Sequence, residues 1–339
     1  MRKVKFAVFG AGFWAKYQIV GWKELKEAEL VAIYNRTRSK AEKLAREFKI
    51  PRIYDNPHQL FKKEKLDFVD IITDVSTHKK FVLLAAENKV PVICQKPMAP
   101  TYEEAKLMVS ACKKAKTPFF VHENWRWQTP IRALKSEMQR GAIGKIFRAR
   151  ISYCNSFPVF KNQPFLKNLK QFILTDMGTH ILDVARFLFG EAESIYCQIA
   201  SVTPGIKGED VATLSMKMKS GSHCLVEMSY ASILEHEKFP QTFIVVEGEK
   251  GSIELTKDYW IRITTKEGTK AKQHAPKIYS WVDPKYAVVQ SSIVDANRNF
   301  LEYFQGKRSV ETTGEDNLKT LQLVYSAYES AKTNSVIKM

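Results

Sequence analysis

The chain has 339 residues, room for two domains of ordinary size. Apolar residues make up 45% and charged residues 26%, a globular composition that excludes a disordered or fibrous chain. No apolar run approaches the roughly 18 residues of a membrane span, so no membrane partner is expected. The net charge of +17 favours anions such as cofactor phosphates or an acidic substrate. The basic residues are scattered rather than gathered, which reads as a solvated surface and leaves no nucleic-acid partner expected.

The basic N-terminus leads into a short apolar run, Phe6 to Phe9, and then a glycine. That pattern suits a first strand better than a signal peptide, and a cytoplasmic location is expected. Cys94, Cys112, Cys154, Cys197 and Cys224 are odd in number and widely spaced, with no C-x-x-C among them. Reduced, mostly buried thiols are expected, with neither a disulfide framework nor a metal site.

Short runs rich in β-branched or aromatic residues recur at Val4 to Phe9, Leu30 to Tyr34, Phe68 to Thr73, Val90 to Cys94 and Phe119 to Val121, with a further stretch at Arg52 to Tyr54. These read as buried parallel strands. Between them the period is helical: Ala41, Leu44, Ala45 and Phe48 fall at i, i+3, i+4, i+7, as do Ala105, Met108, Val109 and Cys112. Thr101 with Glu104 makes a capping box, and Asn56-Pro57 an N-cap with an N1 proline. Strand and helix in strict turn predict a doubly wound parallel sheet, an α/β Rossmann domain over residues 1–124.

After Gly144 the pattern changes. Lys145 to Asn155, Ser194 to Thr203, Asp210 to Lys219, Cys224 to Ala231, Phe243 to Glu247, Ser252 to Thr256 and Trp260 to Thr265 read as consecutive strands. Turn residues separate several of them. Helices are expected at about Thr175 to Phe189 and Asp316 to Lys332. Residues 125–339 are thus predicted to form an α+β domain on a large, mostly antiparallel open sheet, for substrate binding and oligomerisation.

The first strand ends in Gly10-Ala11-Gly12-Phe13-Trp14-Ala15, a G-x-G-x-x-A turn before a helix. Glycine is needed there for a tight turn and for close approach of the backbone to a pyrophosphate, which the helix N-terminus then favours electrostatically. A little over 20 residues on, where an acid would bind the ribose of NAD, stand Asn35, Arg36, Thr37 and Arg38. Arginine there favours a 2′-phosphate, so NADP is expected over NAD.

Lys96 follows the expected strand Val90 to Cys94 at the carboxyl edge of the sheet, where an ammonium can stabilise a developing alkoxide. Asp176 and His180 are i, i+4 and on a helix would share one face. Histidine in general titrates near neutrality, so a residue of this type at 180 can exchange a hydroxyl proton while hydride moves. The same spacing also suits a plain helix-surface hydrogen bond. Asn124-Trp125-Arg126 follows the last strand of the first domain, and its aromatic and polar groups suit a sugar ring.

Together the glycine turn, Gln95-Lys96-Pro97 and Asp176-x-x-x-His180 resemble the glucose–fructose oxidoreductase / inositol dehydrogenase / rhizopine-catabolism family over essentially the whole chain. Thr73 to His78, Glu247 to Gly251 and Glu329-Ser330-Ala331 support the resemblance. It implies an NAD(P)-dependent enzyme that oxidises a hydroxyl, or reduces a ketone, of a sugar, cyclitol or related polyol. It implies that Lys96 orients the substrate oxygen, that His180 is the general acid–base and that Asp176 binds substrate and positions the histidine. Thr73, His78, Gln95 and Lys96 would line the nicotinamide side of the cofactor site. Gln95 stands where the family has glutamate, removing a negative charge beside Lys96. The resemblance also implies a homodimer or homotetramer. A rival reading is a cofactor-binding regulator of the same fold that has lost catalysis.

Overall fold

The computed structural model describes residues 3–235 and 238–339. Cα packing divides the chain into two compact units. The first comprises the residues up to Asn124 together with Ile293–Lys319, and the second comprises Trp125–Ser292 and Thr320–Met339.

In the first unit six strands form one parallel sheet: β1 (Val4–Phe9), β2 (Ala28–Tyr34), β3 (Arg52–Tyr54), β4 (Phe68–Ile71), β5 (Val92–Gln95) and β6 (Phe119–His122). Their order is β3-β2-β1-β4-β5-β6, which places a topological switch point between β1 and β4. The helices α1 (Ala15–Lys23), α2 (Arg38–Phe48), α3 (Pro57–Lys63), α4 (His78–Glu87) and α5 (Tyr102–Ala115) alternate with the strands. The caps read from the sequence form: Asn56 accepts from the His58 and Gln59 amides, and Thr101 from the Glu104 amide. Phe6 stacks on Phe68, centroids 4.8 Å apart, and both rings lean on Trp22. Burying each such ring is worth roughly 1.5–3 kcal/mol.

The return of Ile293–Lys319 to the first unit departs from a division of the chain at 124 alone. Its physical reason is the sheet edge. Phe300 and Phe304 pack on Phe120, and Phe304 stacks on Phe68 at 4.8 Å. Thr313 bridges Phe120 in antiparallel sense, and the Val121 amide donates to the Thr312 carbonyl at 2.9 Å, so the segment covers β6.

The second unit begins with α6 (Thr129–Gln139) and β7 (Ile146–Cys154), followed by the short α7 (Val159–Asn162) and by α8 (Thr179–Phe189). Strands β8 (Ala192–Ala200), β9 (Val211–Met218), β10 (His223–Ser229), β11 (Phe243–Gly248), β12 (Gly251–Thr256), β13 (Trp260–Thr265) and β14 (Gly268–Gln273) come next. The chain closes with α9 (Ala287–Phe304), α10 (Gly314–Thr333) and β15 (Ile337–Lys338). The nine-stranded sheet runs β14-β13-β12-β11-β7-β10-β9-β8-β15 and is antiparallel except for the β7–β10 pair. β9 alternates buried and less buried residues along its length, as its sequence predicts. Ile181, Val184, Ala185 and Leu188 of α8 are buried in one core with Ile151, Leu214, Val226 and Ile244 of the sheet. No helix among the described residues is long and apolar enough to cross a membrane. Four of the five cysteines are buried, and burial pushes the Cys112, Cys197 and Cys224 thiols up to about 12.

Candidate active site

The carboxyl edge of the first sheet is built largely by backbone. Gly10 has φ +118°, and a Cβ there would lie 2.7 Å from the Ile72 carbonyl oxygen, so only glycine lets the end of β1 pass that close to the end of β4. A Cβ on Gly12 would meet nothing within 4 Å. The two glycines therefore serve different ends: Gly10 makes the turn, and Gly12 keeps its outer side open. The first turn of α1 carries no acid, which leaves its positive end available to an anion. Phe13 is 77% exposed and meets Tyr17 edge-on, while the buried Trp14 indole nitrogen has no hydrogen-bond partner.

Asn35 ties this turn to the end of β2. Its Oδ1 accepts from the Ala11 amide at 3.1 Å, and its Nδ2 donates to the Thr37 carbonyl at 2.8 Å. Arg36 and Thr37 are exposed. Arg38 is exposed as well and pairs with Glu42 at 3.0 Å and Asp55 at 3.5 Å.

His78 joins the loops after β4 and β5. Its Nε2 lies 3.1 Å from the Thr73 carbonyl, and its Nδ1 lies 3.1 Å from that of Pro97 and 3.3 Å from that of Met98. Burial holds the imidazole below its usual range, so the ring is neutral and donates from one nitrogen only. Thr77 donates to the Thr73 hydroxyl at 2.8 Å. Gln95 ends β5, buried, and its amide nitrogen has no hydrogen-bond partner. Lys96 follows it, half-buried, at the same edge. His78 thus stands between the loops that carry Thr73 and Lys96, with its single N–H available to the carbonyls on one side.

In the second unit Asp176 sits on a π turn, Leu174–Gly178, and His180 in the first turn of α8. The expected single α-helix from Thr175 therefore begins with a wider turn. Such turns recur at functional sites because they re-aim side chains. The buried Glu209 carboxylate holds the turn, accepting from the Phe172 and Leu174 amides at 3.1 and 3.2 Å and from the Tyr328 hydroxyl at 2.6 Å. Asp176 Oδ2 lies 3.5 Å from the Tyr230 hydroxyl of the loop after β10. Burial pushes the Tyr230 and Tyr153 hydroxyls up, so both stay neutral and Tyr230 donates to Asp176. Their rings meet at right angles, 6.0 Å apart.

Every residue from His122 to Gln128 is buried, Asn124 at 3% exposure and Trp125 and Arg126 at 5%. Trp125 and Arg126, expected to meet a sugar, both reach α8 with their side chains. Trp125 stacks on His180, ring centroids 4.2 Å apart, and Arg126 closes a two-bonded ion pair on Asp183 of α8 at 2.7 and 2.5 Å. Sequence reasoning missed Tyr153, Tyr230, Thr242 and Asp183. Asp183 carried a signal, lying at i+3 from His180 inside an apolar stripe where an acid needs a partner; the others had none.

Two family models match this chain. The oxidoreductase family with an NAD-binding Rossmann fold (GFO/IDH/MocA) covers residues 4–123, and the C-terminal domain of the same family covers 131–254. A D-apiose dehydrogenase of Rhizobium rhizogenes is 39% identical over 99% of this chain and 98% of its own length. The chain belongs to the GFO/IDH/MocA family. A crystal structure of an Agrobacterium radiobacter oxidoreductase in complex with NAD+, L-tartaric acid and magnesium superposes with a TM-score of 0.96. It is 39% identical, with 99% and 98% of the two chains covered. A myo-inositol 2-dehydrogenase of Thermotoga maritima is 23% identical over 99% of this chain and 98% of its own length. As a GFO/IDH/MocA member the protein is an oxidoreductase that uses a nicotinamide cofactor. The backbone fits one: Gly10 closes the turn, Gly12 leaves room, and α1 presents an unopposed positive end.

Proposed function

We propose that the protein interconverts a CH–OH group of a sugar or closely related polyol and the corresponding carbonyl, an aldopentose such as D-apiose being the first substrate to test. The presence of Lys96, Asp176 and His180 in a chain 39% identical end to end to a D-apiose dehydrogenase carries the reading. When bound, the nicotinamide supplies the hydride acceptor or donor. Lys96 holds the substrate oxygen and offsets charge that grows on it. His180 takes the hydroxyl proton in the oxidative direction and returns it in the reductive one. Asp176, kept in place by Tyr230, accepts a hydrogen bond from a substrate hydroxyl.

For the cofactor we infer NAD. The preference for NADP expected from Arg36 and Arg38 loses support because Arg38 is already paired with Glu42 and Asp55. The NAD+ bound to the Agrobacterium relative points the same way. We also propose a homodimer or homotetramer, as the family resemblance implies; a single-chain mass by light scattering contradicts it. The deciding experiment follows absorbance of the reduced nicotinamide across aldoses, polyols and inositols with each cofactor. Turnover of at least one sugar, faster with NAD, is expected; no turnover across the panel overturns the reading.

A further inference from the structure

Trp125 and Arg126 are consecutive, and both grip α8. The Trp125 indole lies on the His180 imidazole at 4.2 Å with the planes 25° apart, and its Nε1 donates to Thr242 Oγ1 at 3.1 Å. The indole also meets the Tyr153 ring at 74°, centroids 6.1 Å apart. Arg126 Nε and Nη2 donate to the two oxygens of Asp183 at 2.7 and 2.5 Å. Asp183 Oδ1 also accepts from Thr320, which in turn accepts from Arg186 at 2.8 Å. His180 and Asp183 stand at i and i+3, neighbours on one helix face.

An imidazole has two torsions to lose before its nitrogen points one way. A stacked indole held by its own hydrogen bond removes the freedom of the ring plane, and a buried two-bonded ion pair removes rotation of the helix beneath it. We infer that Trp125 and Arg126 are positioning residues that fix the ring plane of His180 for proton exchange; the inference rests on the reading of His180 given above. A stacked indole also contributes an attractive face to the imidazolium formed when the proton arrives. Arg126 is the poorer residue to test, because its removal leaves Asp183 buried and uncompensated and threatens the fold.

The test therefore uses Trp125→Leu, Trp125→Phe, Thr242→Val and His180→Asn in the full chain, with a sugar that the wild type turns over. Readouts are kcat and KM in H2O and D2O, NAD affinity by fluorescence, and Tm. Trp125→Leu is expected to lower kcat about ten- to hundredfold, as misplacement of a reacting group does. It should leave KM and NAD affinity within about threefold, as a loss confined to the chemical step requires. The solvent isotope effect on kcat should rise as proton transfer becomes limiting. Trp125→Phe, which keeps a ring to stack, should restore most of kcat. If Trp125→Leu does not fold, Thr242→Val still frees the indole, and a kcat drop of about two- to fivefold, the worth of one hydrogen bond, is expected. Wild-type kcat and isotope effect in Trp125→Leu, or in Thr242→Val where that variant stands in, overturn the inference. A raised KM with kcat unchanged also does so, because it makes Trp125 a substrate contact. Equal loss in the Leu and Phe variants overturns it too. If His180→Asn is inactive while Trp125→Leu is normal, only the inference fails; if His180→Asn is fully active, the reading of His180 fails first.

Discussion

The two units prepare chemistry in different ways. At the carboxyl edge of the first sheet the fittings are main chain: a glycine at φ +118°, an open glycine two residues on, and carbonyls set around one buried histidine. In the second unit the fittings are side chains drawn from distant segments: Trp125 on His180, Arg126 on Asp183, Tyr230 on Asp176. A backbone device tolerates almost no substitution at its few special positions and little else matters. A side-chain device spreads its demands over many residues, each partly replaceable.

That contrast can be broken first at the chemistry. His180→Asn should lower kcat by about 10²–10⁴-fold, the usual worth of a positioned general base, with NAD affinity unchanged by fluorescence titration. A loss of NAD affinity instead would move His180 out of the proton-exchange role.

The glycines sharpen it next. Gly10→Ala places a Cβ against the Ile72 carbonyl at a backbone angle unsuited to it, and a destabilisation of about 1–3 kcal/mol is expected in denaturant titration. Gly12→Ala meets no neighbour, so stability should hold within about 0.5 kcal/mol while NAD binding weakens. Equal stability losses in the two variants would contradict the division of labour between them.

Asp70 of β4 offers a comparison within the first unit. Its carboxyl is fully buried, accepts from Trp22 at 2.6 Å and Gln18 at 2.9 Å, and has one oxygen without a partner. Burial raises its pKa from 3.8 to about 6. The native state therefore holds this proton more tightly than the unfolded chain, and stability falls as pH rises between those values and then levels off. Asp70→Asn should gain up to roughly 3 kcal/mol above pH 6, by urea titration, and little of that near pH 4. A gain that does not depend on pH would assign the effect to packing. The smallest effect is at Arg38: because it is exposed and already paired, Arg38→Ala should change kcat/KM with NAD and NADP by less than about threefold.

The same contrast explains what the sequence made legible. The Rossmann strands and their caps follow from local period and turn chemistry, and the glycine turn from a spacing that only backbone geometry requires. The helix Ala287–Phe304 was missed because its buried face mixes Asn297, Ser291 and Ser292 with apolar residues and so blurs the period. β14 was missed because all six of its residues are exposed and none is a large apolar one, so there is no alternation to read. Asp176 and His180 stood out by spacing and by resemblance, but their partners Tyr230 and Trp125 lie far away in sequence, Tyr230 by 54 residues, beyond any local pattern. The π turn under Asp176 is fixed by Glu209, again from a distant loop.

The account turns on Lys96 and is tested most directly by Lys96→Met, with turnover and NAD affinity measured on one preparation. Turnover lower by orders of magnitude with NAD affinity within a few-fold is the predicted result, as for removal of a charge that acts on the transition state. Near wild-type turnover would contradict it.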